Sequence, residues 1–205
     1  ILLVGVKEVR CKEKLILVLF ASHFFYTYQQ NTVNGRLFDI RTRGFNGGFY
    51  WLGALMAPLF GRFLDNRRMN TRRTAAVAFA IIFLLHIAVY IGGLMLQLRS
   101  PSSIDDKGSY MYMPHEMDMM NSGTKFAGPF VLYFLYGVFD TLWQTFIYWI
   151  IGYLGKNDDD VTARYVGLYK AVQSAGAAVA WKLNEVPINY HVEFAINWGL
   201  IGGAL

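Results

Sequence analysis

The apolar residues of this chain are not scattered. They are gathered into blocks about as long as a bilayer is thick. Six blocks occur, at residues 15–30, 47–64, 75–96, 128–153, 165–181 and 191–205. A helix needs roughly 17 to 25 mostly apolar residues to cross hydrocarbon. Four blocks reach that length, and the first and last fall slightly short. Ala75 to Leu85 carries no polar side chain on any face. A helix buried along one side of a soluble protein keeps a polar stripe, so this block reads as surrounded by lipid or protein.

Composition agrees. Charged residues make up 16% of the 205, against about a quarter in soluble domains. Aromatics reach 17%, which excludes a disordered chain. One cysteine excludes an internal disulfide scaffold. Mean hydropathy is only +0.30 because polar connections dilute the blocks. The expected fold is all-α: a polytopic membrane helical bundle of six transmembrane helices, spans A to F, integral to a lipid bilayer.

The chain opens on Ile1 and closes on Leu205 within an apolar run, which reads as a fragment of something larger. Ile1–Val6, followed by Lys7, Arg10, Lys12 and Lys14, fits the end of a missing helix or an interfacial helix. The positive charges follow the apolar run, so it is not a signal peptide.

Loop charge sets orientation. The N-terminal stretch and loops B–C and D–E carry 11 Lys and Arg, and the opposite side carries seven. Positive loops stay in the cytoplasm, so both ends are expected there. The net charge of +5 then reports topology, not nucleic-acid binding.

Helices in lipid associate through small residues. Gly53, Ala57 and Gly61 repeat at four-residue steps on span B. Span E is slim at Ala171, Ala175, Gly176, Ala178 and Ala180.

An intramembrane acid is costly and marks a functional-site candidate. Asp140 is one, near the middle of span D. Tyr133, Tyr136, Gln144 and Tyr148 share a helix face with it. Span E offers Lys170, Gln173, Ser174 and Trp181. By helix rise, Asp140 sits roughly 18 Å from the cytoplasmic end and Lys170 about 9 Å. Gln144 and Gln173 match better, at roughly 12 and 13 Å. Two readings fit: a polar clamp between D and E, or a polar cavity lined by Tyr136, Asp140, Gln144, Lys170, Gln173 and Ser174.

Other polar groups are weaker signals. His23 and His86 lie in spans, as packing histidines or as a proton relay. Met111, Met113, Met117, Met119 and Met120 with His115 lie in loop C–D and read as a flexible apolar lid or surface segment, or as a soft Cu(I) ligand set. Asp158, Asp159 and Asp160 lack calcium-loop spacing and read as solvated. No phosphate loop, zinc pair or nucleophile triad is present, so no enzyme, cofactor or metal is expected.

Loop B–C runs Gly61, then Asp65, then Arg67, Arg68, Arg72 and Arg73. This resembles the cytoplasmic signature of the major facilitator superfamily. In that reading Gly61 admits a neighbouring helix, Asp65 accepts hydrogen bonds from a helix start, and the arginines hold the loop inside. Three further stretches narrow the resemblance: Phe25–Gln29 with Phe38–Arg43, Tyr136–Thr145, and Ala163–Tyr165 through Lys170 to Gln173–Ala178. Together they are similar to fungal members of the uncoordinated-93-like family, also called ion channel regulatory proteins. The resemblance implies the second half of a twelve-helix transporter-like fold whose first six helices lie outside this sequence. The leading reading of function is a transporter-like membrane protein that moves a small solute by rocking between halves. The alternative is a non-transporting regulator or trafficking partner of another membrane protein such as an ion channel, and the family's named members, as channel regulators, support this second reading.

Overall fold

The computed structural model describes residues 28–66, 68–99, 102–104, 110–112, 117–155, 158–184, 186 and 188–204. His23, the basic stretch from Lys7 to Lys14, Arg67, Met113 and His115 lie outside the described residues.

Among the described residues the helices follow the order of the expected spans. Helix α1 is π-helical over Tyr28–Asn34 and closes with the turn Gly35–Leu37. Helix α2 spans 40–64, as Ile40–Leu52, a tightened 3-10 turn Gly53–Leu55, and Met56–Leu64. Helix α3 is Thr71–Arg99, α4 Thr124–Gly155, α5 Asp159–Asn184 and α6 Tyr190–Ala204. The chain is helical but not purely so. Strands β1 (Ser102–Ile104) and β2 (Tyr110–Tyr112) pair antiparallel, with Ser103 opposite Met111.

Most helices overrun their expected spans, and the reason lies in their caps. Asp39 starts α2 seven residues before the expected position 47, accepting from the backbone N–H groups of Thr42 at 3.0 Å and Arg41 at 3.2 Å. Asn70 accepts from Arg72 N–H at 3.1 Å to open α3. Asp158 accepts from Asp160 and Val161 N–H at 3.0 and 3.1 Å to open α5. Asn189 accepts from His191 N–H at 2.9 Å to open α6. A side-chain oxygen on the first free amides is what a helix start requires. Such residues are polar, so the apolar pattern begins a turn late. The acidic run Asp158–Asp160 is therefore a helix start as well as a solvated patch. Span A does not end at Gln30 but winds on to Leu37.

Two helices, α3 and α4, are long and apolar enough to cross a membrane by length and composition. On α3, Ala78, Ile82, His86, Val89, Tyr90 and Gly93 form one buried stripe. The rest of its surface is also apolar, with Leu84 68% exposed and Leu98 69% exposed. In water such a surface is an aggregation liability, whereas in hydrocarbon it costs nothing. Such a surface fits a membrane setting.

Helix α4 is the hub, packing against α2, α3 and α5. It crosses α2 at Gly53 and Gly137, where a Cβ on Gly53 would lie 2.9 Å from the Gly137 carbonyl carbon. A Cβ on Gly137 would run into the Tyr50 backbone. The close seam is confined to this crossing, since a Cβ on Gly61 would meet nothing within 4 Å. The four-residue repeat is necessary for a seam but does not place a partner along its whole length.

The connection between α3 and α4 folds back on the start of α2. Asp39 N–H donates to Met117 O at 3.0 Å, and Met117 N–H donates to Leu37 O at 2.9 Å. Met119 N–H donates to the Thr42 hydroxyl at 3.0 Å. Met117 and Met119 are thus pinned, not a loose lid, while Met120 projects outward.

Candidate functional site

The polar stripe of α4 faces inward where the bundle is thickest. Tyr133 and Tyr136 are fully buried and Asp140 is 8% exposed. Toward the other end the stripe emerges, with Gln144 half-buried and Tyr148 37% exposed.

Gln144 does not reach across to α5. Its Nε2 donates to both carboxylate oxygens of Asp140 at 3.0 Å, one turn away on the same helix. The Tyr50 hydroxyl of α2 also interacts with that carboxylate. On α5, Lys170 Nζ donates to Gln173 Oε1 at 2.9 Å, and Gln173 Nε2 donates to the Tyr169 hydroxyl at 3.1 Å. The expected Gln144–Gln173 match is thus replaced by two local pairs. A side chain one turn away is nearer than one on the next helix. Lys170 is close enough for its charge to act on Asp140, but its contacts are Gln173 and the rings of Tyr148 and Tyr169, at 5.6 and 5.1 Å. Between α4 and α5, Tyr148 also meets Tyr169 edge-on at 5.2 Å. Gln173 is buried, while Lys170 and Ser174 face outward from the described bundle.

Other buried polar groups surround this stripe. The Tyr136 hydroxyl interacts with the Gln29 amide in the π-helical start of α1. It reaches there because Gly93 of α3 has no side chain: a Cβ would collide with both Tyr136 and Phe194. Asn46 Nδ2 donates to Asn34 Oδ1 at 3.3 Å, and Gln97 Nε2 donates to the Tyr28 hydroxyl at 2.9 Å. Asn197 of α6 is wholly buried, and neither of its amide atoms has a hydrogen-bond partner among the described residues. Leaving such a group unpaired costs about 1–3 kcal/mol. Its position fits contact with water or a polar guest. His86 is also buried, packed against Tyr90 and Phe139 at 4.6 and 5.8 Å. Of these groups the sequence singles out Tyr136 and His86. Gln29, Asn34, Asn46, Gln97 and Asn197 were missed, although each interrupts or flanks an apolar block and could have been flagged on that ground.

At the opposite edge α1 is tied to α6. The Thr32 hydroxyl donates to Glu193 Oε1 at 2.6 Å, and Arg36 Nη1 donates to the Tyr190 hydroxyl at 3.0 Å. These ties join the outermost helices and leave the α4 stripe to the interior.

The loop between α2 and α3 departs from its expected roles. Asp65 is exposed, and its backbone N–H donates to Gly61 O at 2.9 Å to close α2. The start of α3 is capped by Asn70, not Asp65. Arg68, Arg72 and Arg73 are exposed at this end. Outside the spans, Asp39 is held below the ordinary carboxylate range, first by its side-chain hydrogen bond with Thr42, then by the Thr42 and Arg41 amides and the Arg41 charge.

The chain is 40% identical over 193 residues to UNC93-like protein 1 of Arabidopsis thaliana, and equally to UNC93-like protein 2 of the same plant. Each alignment covers 91% of this chain and 40% of the relative. It is 35% identical over 208 residues to an UNC93-like protein of Schizosaccharomyces pombe, covering 99% of this chain and 40% of that protein. The chain therefore spans about 40% of the length of the curated relatives it matches. No family model matches it, and no solved structure does.

Proposed function

From the premise that this chain belongs to the UNC93-like family, we propose that it is the six-span second half of a major-facilitator-like membrane protein that moves a small polar solute. Both its ends would face the cytoplasm, with the arginine loop between α2 and α3 on that side. The missing half would supply the opposite wall of the solute path. The observation that carries this reading is Asp140, a carboxylate buried halfway along the most centrally packed apolar helix, held by Gln144 and Tyr50. A charge in that position is costly unless it is paired or faces a polar cavity, and such a residue is by default a functional-site candidate. No catalytic or cofactor role is assigned to it.

Uptake of a panel of labelled amino acids and hexoses into vesicles carrying the full-length protein tests the reading. Asp140→Asn and Gln144→Ala should each depress whichever uptake the parent shows.

A second reading has its own support. His86, Tyr90, Phe139, Phe194 and Trp198 stack into a filled aromatic cluster, with Tyr90 and Trp198 5.5 Å apart and nearly parallel. A plugged centre suits a regulator or trafficking partner of another membrane protein, such as an ion channel. Capture of a membrane partner together with silent uptake would favour it.

A further inference from the structure

Helices α3 and α4 part near one end and leave a crevice of about 520 Å³ between them. Its floor and walls are Gly92, Met95, Leu96, Met117, Gly128, Pro129 and Leu132, and Arg99 and Lys125 stand in its lining with Thr124. Part of the space exists because Gly128 carries no side chain: a Cβ there would meet nothing within 4 Å. Gly92 does a different job, letting Leu132 pack against the α3 backbone, since a Cβ on Gly92 would lie 2.8 Å from a Leu132 methyl.

Three features fix what could fill it. First, the crevice lies between the two helices long and apolar enough to span a membrane. The α3 surface beside it is apolar and exposed at Ile91, Leu94, Met95 and Leu98. An occupant therefore enters from hydrocarbon and has an apolar body. Second, Arg99 is the last residue of α3 and Lys125 the second of α4. The cations thus mark the level where both helices leave the membrane, which is where a lipid carries its headgroup. Third, no acidic side chain is among the crevice's lining residues. Among the described lining residues the charge at the rim is positive only, so an anionic headgroup uses it and a neutral one does not. Each cation near a membrane surface strengthens anionic-lipid binding by roughly fivefold.

We propose that this crevice is a binding site for one anionic phospholipid. Its phosphate lies between Arg99 and Lys125 and an acyl chain lies over Gly92 and Gly128. The site sits on the side of the α3–α4 connection, away from the arginine loop. It is independent of the solute path at Asp140, so it stands whether or not the protein transports.

The test is native mass spectrometry of the intact protein, released from mixed phosphatidylglycerol and phosphatidylcholine nanodiscs. The parent should retain one phosphatidylglycerol in preference to phosphatidylcholine. Arg99→Gln with Lys125→Gln should lower that retention by about tenfold or more. Gly128→Leu, which fills the crevice and keeps both charges, should abolish it while the melting temperature holds. Gly128→Leu also separates loss of the site from loss of the cations. Equal retention of the two lipids by the parent overturns the proposal. So does unchanged retention in either variant. Displacement of the lipid by millimolar inorganic phosphate would identify a soluble-anion site and overturn it as well.

Discussion

Gln144 Nε2 lies 3.0 Å from both carboxylate oxygens of Asp140, one turn along the same helix. The amide thus serves the acid and not a neighbouring helix, and Asp140 is left facing the tyrosine-rich interior. A buried acid on an apolar helix is a functional-site candidate.

The glycine crossing of α2 and α4 sets the position of Tyr50 relative to Asp140. Gly137→Ala pushes a methyl into the Tyr50 backbone. Overpacking of this kind costs about 1–3 kcal/mol. Thermal unfolding in detergent should show a lowered midpoint for Gly137→Ala. Gly61→Ala, whose Cβ meets nothing, should leave the midpoint unchanged.

The two sides of α3 should differ in lipid contact. The sequence has a single cysteine, so labels can be placed at will once it is replaced. Spin labels at Leu84 and Leu98 should be highly accessible to oxygen dissolved in the bilayer. One at Ile82, which is fully buried, should be protected. Equal accessibility at all three would remove α3 from the membrane.

Asp39 caps α2, and its carboxyl titrates below its ordinary value of 3.8. A lowered folded pKa means the cap contributes stability above the unfolded pKa and loses it as pH falls through the folded one. Asp39→Ala should therefore lower the melting temperature at neutral pH, and the gap to the parent should close as pH drops below about 3.8. Asp39→Asn, an equally good cap, should retain most of the neutral-pH stability without that pH dependence. A gap that persists unchanged to acid pH would rule out the carboxylate as its source.

Much of this architecture was legible in the residues. Helix order, the inward face of Tyr133, Tyr136 and Asp140, and the family resemblance all follow from apolar periodicity and local motifs. Helix starts were not legible from hydropathy, because Asp39, Asn70, Asp158 and Asn189 are polar residues doing hydrogen-bonding work at span edges. Which side chains pair across helices was not legible either. Depth arithmetic put Gln144 beside Gln173, yet each found a partner within its own helix, since a neighbour one turn away is always in reach. The seam through Gly53, Ala57 and Gly61 collapsed to one crossing because small residues permit contact without supplying the partner. The clip between Met117 and Leu37 depends on a chain reversal that no local pattern announces.

The most direct test of the central reading is solute uptake by the full-length protein in sealed vesicles, parent against Asp140→Asn. The substitution keeps the side chain's size and one of its two acceptors for Gln144 Nε2 while removing the charge. If the buried carboxylate serves transport, the uptake shown by the parent falls at least about tenfold with expression and melting temperature unchanged, consistent with loss of one charge-assisted contact. Uptake that persists at the parent rate in Asp140→Asn contradicts the account.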